Sequence, residues 1–191
     1  MLGQSSFDRS AGAREALPRV SLVLGGACSG KSRHAEAMIE RAAGGGIYLA
    51  TAEIGDAEMA ARVAAHRERR GPQWTTIEET LEIATRLREA SRPVLVDCLT
   101  LWLSNLMHAG RDPAAESEAL LSALATMPAP AVLVANEVGL GIVPENALAR
   151  AFRDHAGQLH QRVAAAADRV VLMAAGLPLV LKGTVAAESS R

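Results

Sequence analysis

The chain has 191 residues, of which 49% are hydrophobic and 21% charged, with a formal net charge of −1. This suits one domain with a sizeable core. The balanced charge and an aromatic content of 3% give no basic field for nucleic acid or an acidic membrane surface, and few stacking platforms for single strands.

In chain order, the first nineteen residues are polar and lack the apolar stretch of a secretory signal. No later run reaches the roughly 20 apolar residues that span a bilayer. Only Cys28 and Cys98 are present, so reduced thiols in a cytoplasmic protein are expected. Residues 1–19 read as a polar extension, 20–183 as a single nucleotide-binding domain and 184–191 as a polar tail. Short β-branched or Leu-rich runs place strands at 20–24, 47–51, 94–97, 132–136 and 170–174. Helical periodicity falls at 31–43, 57–70, 81–90, 99–109, 115–126 and 147–167. In the first of these helices Ala35, Met38, Ile39 and Ala42 follow i, i+3, i+4, i+7, which defines one buried face. Such alternation predicts an α/β fold, a mostly parallel sheet flanked by helices. Residues 177–181 follow a strand too closely for a crossover helix, so an antiparallel edge strand or hairpin is expected there.

The most specific local signal is Gly25-Gly26-Ala27-Cys28-Ser29-Gly30-Lys31-Ser32, which fits G-x-x-x-x-G-K-[ST] between a strand and a helix. The glycines let successive N–H groups turn toward phosphate oxygens, and the helix N-terminus adds partial positive charge. In that setting Lys31 reaches the β/γ-phosphates of a nucleoside triphosphate and Ser32 ligates Mg²⁺. Asp97 ends the apolar strand at 94–97 as a Walker B acid does, placed to act on Mg²⁺ or on an acceptor hydroxyl. The competing role for Asp97 is to cap the helix that begins at Leu99.

On a helix over 57–70, His66 lies one turn from Arg62 and one turn from Arg69 and Arg70. Neighbouring guanidiniums disfavour protonation of the imidazole, and a neutral imidazole is a nucleophile. The same spacing equally describes a solvated basic face carrying an incidental histidine. His34, one turn from Ser32, reads as a surface residue near the nucleotide, and His108 suits the negative end of an apolar helix. His155 and His160 read as surface groups on a long amphipathic helix. No His/Cys set has zinc-ligand spacing.

The segments GGACSGKSRHAE, YLATAEIGDAEMAARVAAHRERR, LVDCLTLWLSNL and VLVANEVGLGIVPENALAR, followed by FRD and AGQLHQRVAAAAD, occur in this order. Over about residues 20–182 the chain thereby resembles the bifunctional adenosylcobinamide kinase/adenosylcobinamide-phosphate guanylyltransferase family of cobalamin biosynthesis. The resemblance implies a P-loop NTPase-like fold and two reactions. ATP or GTP phosphorylates the aminopropanol hydroxyl of adenosylcobinamide. GMP then passes from GTP through a guanylylated histidine to that phosphate, giving adenosylcobinamide-GDP and pyrophosphate. The family's nucleophile falls on His66; some relatives carry two adjacent histidines here, whereas this chain has Ala65 before His66.

The family's nucleotide contacts carry over to Gly25–Ser32, to Thr51, Ala52 and Glu53, to Arg67, Glu68, Arg69 and Arg70, and to Glu78 and Asp97. Glu78 would suit the guanine edge or ribose, against the plainer reading of a helix-start carboxylate. Cys28 departs from the arginine common in relatives, which bears on nucleotide preference more than on activity. Asn136 and Glu137 end a strand beside the site, and a ligand role and a structural role both stay open. The resemblance further implies a homotrimer and a corrinoid partner. Two other readings compete: a P-loop small-molecule kinase without the guanylyl step, and a non-catalytic nucleotide-regulated binding protein.

Overall fold

The computed structural model describes residues 16–53 and 70–184. Its elements in order are β1 (Val20–Gly25), α1 (Lys31–Ala43), β2 (Ile47–Ala50), β3 (Thr75–Glu78), α2 (Ile83–Glu89), β4 (Val94–Asp97), α3 (Leu99–His108), α4 (Pro113–Thr126), β5 (Ala131–Asn136), α5 (Ala147–Ala166), β6 (Arg169–Ala174) and β7 (Leu177–Lys182). The strands form one seven-stranded sheet in the order β3-β2-β4-β5-β1-β6-β7. Every pairing is parallel except β6 with β7, which is antiparallel. The edge strand expected at 177–181 is therefore present as β7, and the mostly parallel α/β fold is the one observed.

The central strands β1, β4 and β5 are near-continuous apolar runs, as a strand covered on both faces requires. Alternate residues feed two separate cores. Leu22, Leu49, Val96 and Leu133 pack with Ile83, Leu87, Trp102, Leu106, Leu120, Leu124, Leu159 and Val163, so α2 to α5 share one face. Val23, Tyr48, Leu95, Val132 and Val134 meet Ala35, Met38 and Ile39 of α1 on the other. The buried stripe of α1 is the one its i, i+3, i+4 spacing announces.

β3 is absent from the expected strands. Its TTIE sequence is short and polar, with exposed ends and a half-buried middle, because it pairs on one side only, with β2. The expected helix over 57–70 lies outside the described residues except for Arg70. At the amino end, Leu17 packs against the α1-side core. Arg19 donates from Nη2 to the carbonyls of Ala125 (2.8 Å) and Met127 (2.9 Å), closing the C-terminal end of α4. Among the described residues no helix is long and apolar enough to cross a membrane.

Candidate nucleotide site

Parallel register sets the site. Gly25 pairs with Asn136 and Met173, and Asp97 with Ala50 and Val134. The carboxyl ends of β1, β2, β4 and β5 thus line one edge, where open α/β sheets bind ligands.

The loop leaving β1 is shaped by backbone demands that its residue types meet. Gly25 has φ +155°, and a Cβ there would stand 2.5 Å from the Met173 carbonyl oxygen. Gly30, at φ +93°, turns the chain into α1 with no side chain capping the helix. The first-turn N–H groups of α1 thereby face the loop as donors for an anion. Cys28 is exposed and takes the left-handed conformation at φ 55°. The loop is braced from both sides: Glu137 N donates to Gly25 O (3.0 Å) and Gly176 N to Ser29 O (3.1 Å). Gly26 and Ala27 are exposed, whereas Ser29 is buried with its hydroxyl unbonded among the described residues.

Lys31 is buried and donates from Nζ to Gly26 O at 2.6 Å. Burial lowers its pKa, opposed by the nearby Cys98, Asp97 and Cys28. Ser32 is half-buried in the first turn of α1. Asp97 does not cap α3, since Cys98 is the N-cap residue and no side chain bonds there. Its Oδ2 instead accepts from the Tyr48 hydroxyl at 2.6 Å. Burial, then the Asp97 charge, pushes the Tyr48 hydroxyl far above its usual range, so it remains a donor. The Tyr48 and Trp74 rings meet at 82°, with centroids 6.3 Å apart. The Arg70 guanidinium carbon stands 3.4 Å from the Tyr48 centroid.

Other residues expected around the nucleotide are placed as follows, two of them with their side chains bonded within the protein. The Thr51 hydroxyl is buried, accepting from Cys98 N and donating to Cys98 O, both at 2.8 Å, so it locks β2 to the start of α3. Asn105 Nδ2 adds donations to Thr51 O (2.8 Å) and Thr80 O (3.1 Å). Ala52 and Glu53 follow Thr51, half-buried and exposed respectively. Arg70 is turned inward, its side chain 4% exposed, 3.9 Å from Glu36 Oε1 and 3.4 Å from Thr76 Oγ1. Glu78 is exposed at the end of β3, and the helix-start carboxylate is its neighbour Glu79, which accepts from Leu81 N and Glu82 N. Asn136 N donates to Thr100 Oγ1 (3.1 Å), and Glu137 Oε1 accepts from Gly139 N (2.5 Å).

His66, Arg67, Glu68 and Arg69 lie outside the described residues. His34 is half-buried, with its pKa lowered by burial and then by Arg41 and Arg169. His155 is half-buried, whereas His160, expected on the surface, is buried, because the apolar stripe of α5 carries it inward beside Leu159 and Val163. Sequence reasoning passed over Tyr48, Glu36 and Asn105. Tyr48 reads as an ordinary core aromatic, and only the β2–β4 register reveals its neighbour.

Among the described residues no group of three His, Cys, Asp or Glu side chains could hold a metal. The Ser32 hydroxyl and the Asp97 carboxylate are nevertheless hard oxygen donors, the kind that Mg²⁺ takes together with substrate phosphates and water. A strand–phosphate-loop–helix unit with a strand-end carboxylate defines the class: a P-loop nucleotide-binding enzyme.

The CobU family profile, described as cobinamide kinase / cobinamide phosphate guanyltransferase, matches residues 21–181. The chain is 50% identical over 168 residues to the bifunctional adenosylcobalamin biosynthesis protein CobP of Pseudomonas aeruginosa, covering 85% of this chain and 96% of that one. It is 44% identical over 179 residues to the CobU protein of Salmonella typhimurium and 42% identical to that of Escherichia coli, each covering 84% of this chain and 98% of the relative. The chain belongs to the cobinamide kinase / cobinamide phosphate guanylyltransferase family, and it is an enzyme of that family.

Proposed function

We propose that the chain catalyses both family reactions at one triphosphate site: phosphorylation of adenosylcobinamide, then transfer of GMP to the product. The observation that carries this is the braced Gly25–Ser32 loop facing Asp97 at the carboxyl edge of the sheet, in a chain that matches the family over 21–181.

In the kinase step the loop and α1 N–H groups hold the phosphates, and Lys31 neutralises charge on the β/γ-oxygens. Burial of Lys31 strengthens that contact by keeping water from it. Ser32 and Asp97 would hold Mg²⁺, which when bound neutralises charge on the transferring group. Asp97 also stands at the edge where an acceptor hydroxyl approaches. In the second step His66 attacks the α-phosphorus of GTP, forming a P–N bond as pyrophosphate leaves. The corrinoid phosphate oxygen then displaces the histidine, forming the P–O bond of adenosylcobinamide-GDP. Gly25 to Ser32, Thr51 to Glu53, Arg67 to Arg70, Glu78 and Asp97 form the nucleotide surround in this reading. Thr51 and Arg70 act from behind it, because their side chains are buried.

Incubation with adenosylcobinamide and γ-labelled ATP or GTP tests the first step, and α-labelled GTP tests the second. Label transfer from the γ-phosphate alone would reduce the function to a kinase, and no transfer of either label would leave a nucleotide-binding protein.

A further inference from the structure

Tyr48 sits where three interactions fix its side chain. In the β2–β4 register Ala50 is paired with Asp97. Residues two apart share a face of a strand, so Tyr48 and Asp97 are diagonal neighbours on the α1 side of the sheet. The ring is held by Arg70 on its face and by Trp74 nearly perpendicular to it. Those two are held in turn by Glu36, 3.9 Å from Arg70, and by Glu40, which accepts from Trp74 Nε1 at 2.8 Å. A tyrosine needed only for packing would not have to aim its hydroxyl at the one carboxylate on the ligand edge of β4. Here the hydroxyl donates a charge-assisted hydrogen bond of 2.6 Å.

We propose that Tyr48 is a positioning residue for the metal-holding carboxylate: it fastens Asp97 by Oδ2 and so fixes the orientation in which that carboxylate would meet the divalent cation accompanying the triphosphate. The inference rests on the role given to Asp97 above. Partners that orient a ligating group typically set metal affinity by 10–100-fold. Arg70, Glu36 and Trp74 serve the same end by denying the ring alternative rotamers.

Tyr48→Phe is the direct test, since it keeps the ring, the Arg70 stack and the Trp74 contact and removes only the hydroxyl. Mn²⁺ affinity of the GTP complex, read by electron paramagnetic resonance, should fall about 10-fold. Metal-free GTP affinity should stay within about two-fold, and kcat at saturating metal should fall while nucleotide KM holds. Asp97→Asn should weaken Mn²⁺ at least as much, and adding Tyr48→Phe to it should cost nothing further. That double variant also carries the test if Tyr48→Phe alone lowers the melting temperature, because the comparison is then between two chains sharing one defect. Unchanged Mn²⁺ affinity in Tyr48→Phe beside a loss in Asp97→Asn overturns the role of Tyr48. An equal loss of metal-free GTP affinity would mark Tyr48 as structural only. Unchanged Mn²⁺ affinity in Asp97→Asn would instead overturn the reading of Asp97, and this inference with it.

Discussion

Lys31 and Thr51 are both buried at the carboxyl edge of the sheet, yet they answer to different chemistry. The Lys31 ammonium is kept in a buried position against the Gly26 carbonyl and near Asp97. Lys31→Ala should reduce both transfer reactions by on the order of 10²–10³-fold, as loss of a preorganised electrostatic contact does. Rate assays of each step with the same protein check this, and retained kinase turnover would mean a second nucleotide site. The Thr51 hydroxyl, by contrast, satisfies both backbone polar groups of Cys98. Thr51→Val would leave a buried N–H unpaired, at a cost of about 1–3 kcal/mol. For a chain of this size that is roughly 2–12 °C of melting temperature, measurable by calorimetry. Lys31 was legible because its motif is a local string whose spacing states the geometry. The inward turn of the Thr51 hydroxyl is not legible, because a strand end facing a site looks the same in sequence whether its hydroxyl points out or in.

At the scale of the element, strands and helices were legible wherever one chain segment buries its own face. The stripes of α1 and α5 and the apolar runs of β1, β4 and β5 are of this kind. β3 was not, because its place at the sheet edge is decided by pairing with β2 and by no pattern of its own. His160 shows the converse: a polar letter on α5 that the helix nonetheless turns inward. Burial lowers its pKa below 6.5, with Glu137 opposing, so the folded state prefers the neutral ring. The unfolded chain then binds the proton more readily, and stability is full above the unfolded pKa and lost as pH falls through it. Melting temperature should therefore decline from pH 7 toward pH 5, and His160→Leu should flatten part of that decline. His34, lowered by burial and by Arg41 and Arg169, contributes with the same sign. An unaltered pH profile in His160→Leu would show that His160 is not the group responsible.

For the whole molecule, the sheet order and its two cores bring segments far apart in sequence to one edge. A single chain read linearly gives the partners but not the distances. The amino end is part of that assembly from Leu17 onward. Removing residues 1–19 should leave nucleotide affinity intact while lowering the melting temperature, because Arg19 no longer closes α4. A loss of nucleotide binding without a change in melting temperature would contradict that division. In the proposed function two reactions share one triphosphate site, but only one of them uses His66. Phosphoryl transfer depends on positioning and charge neutralisation, whereas guanylyl transfer needs a ring nitrogen at the α-phosphorus. The most direct measurement is peptide mass spectrometry after exposure to GTP, run on the native chain and on His66→Asn, with adenosylcobinamide phosphorylation assayed beside it. The expected result is a single GMP adduct on His66 in the native chain, none in the variant, and kinase turnover that survives. An adduct on His34, or kinase loss equal to transferase loss in His66→Asn, would contradict it.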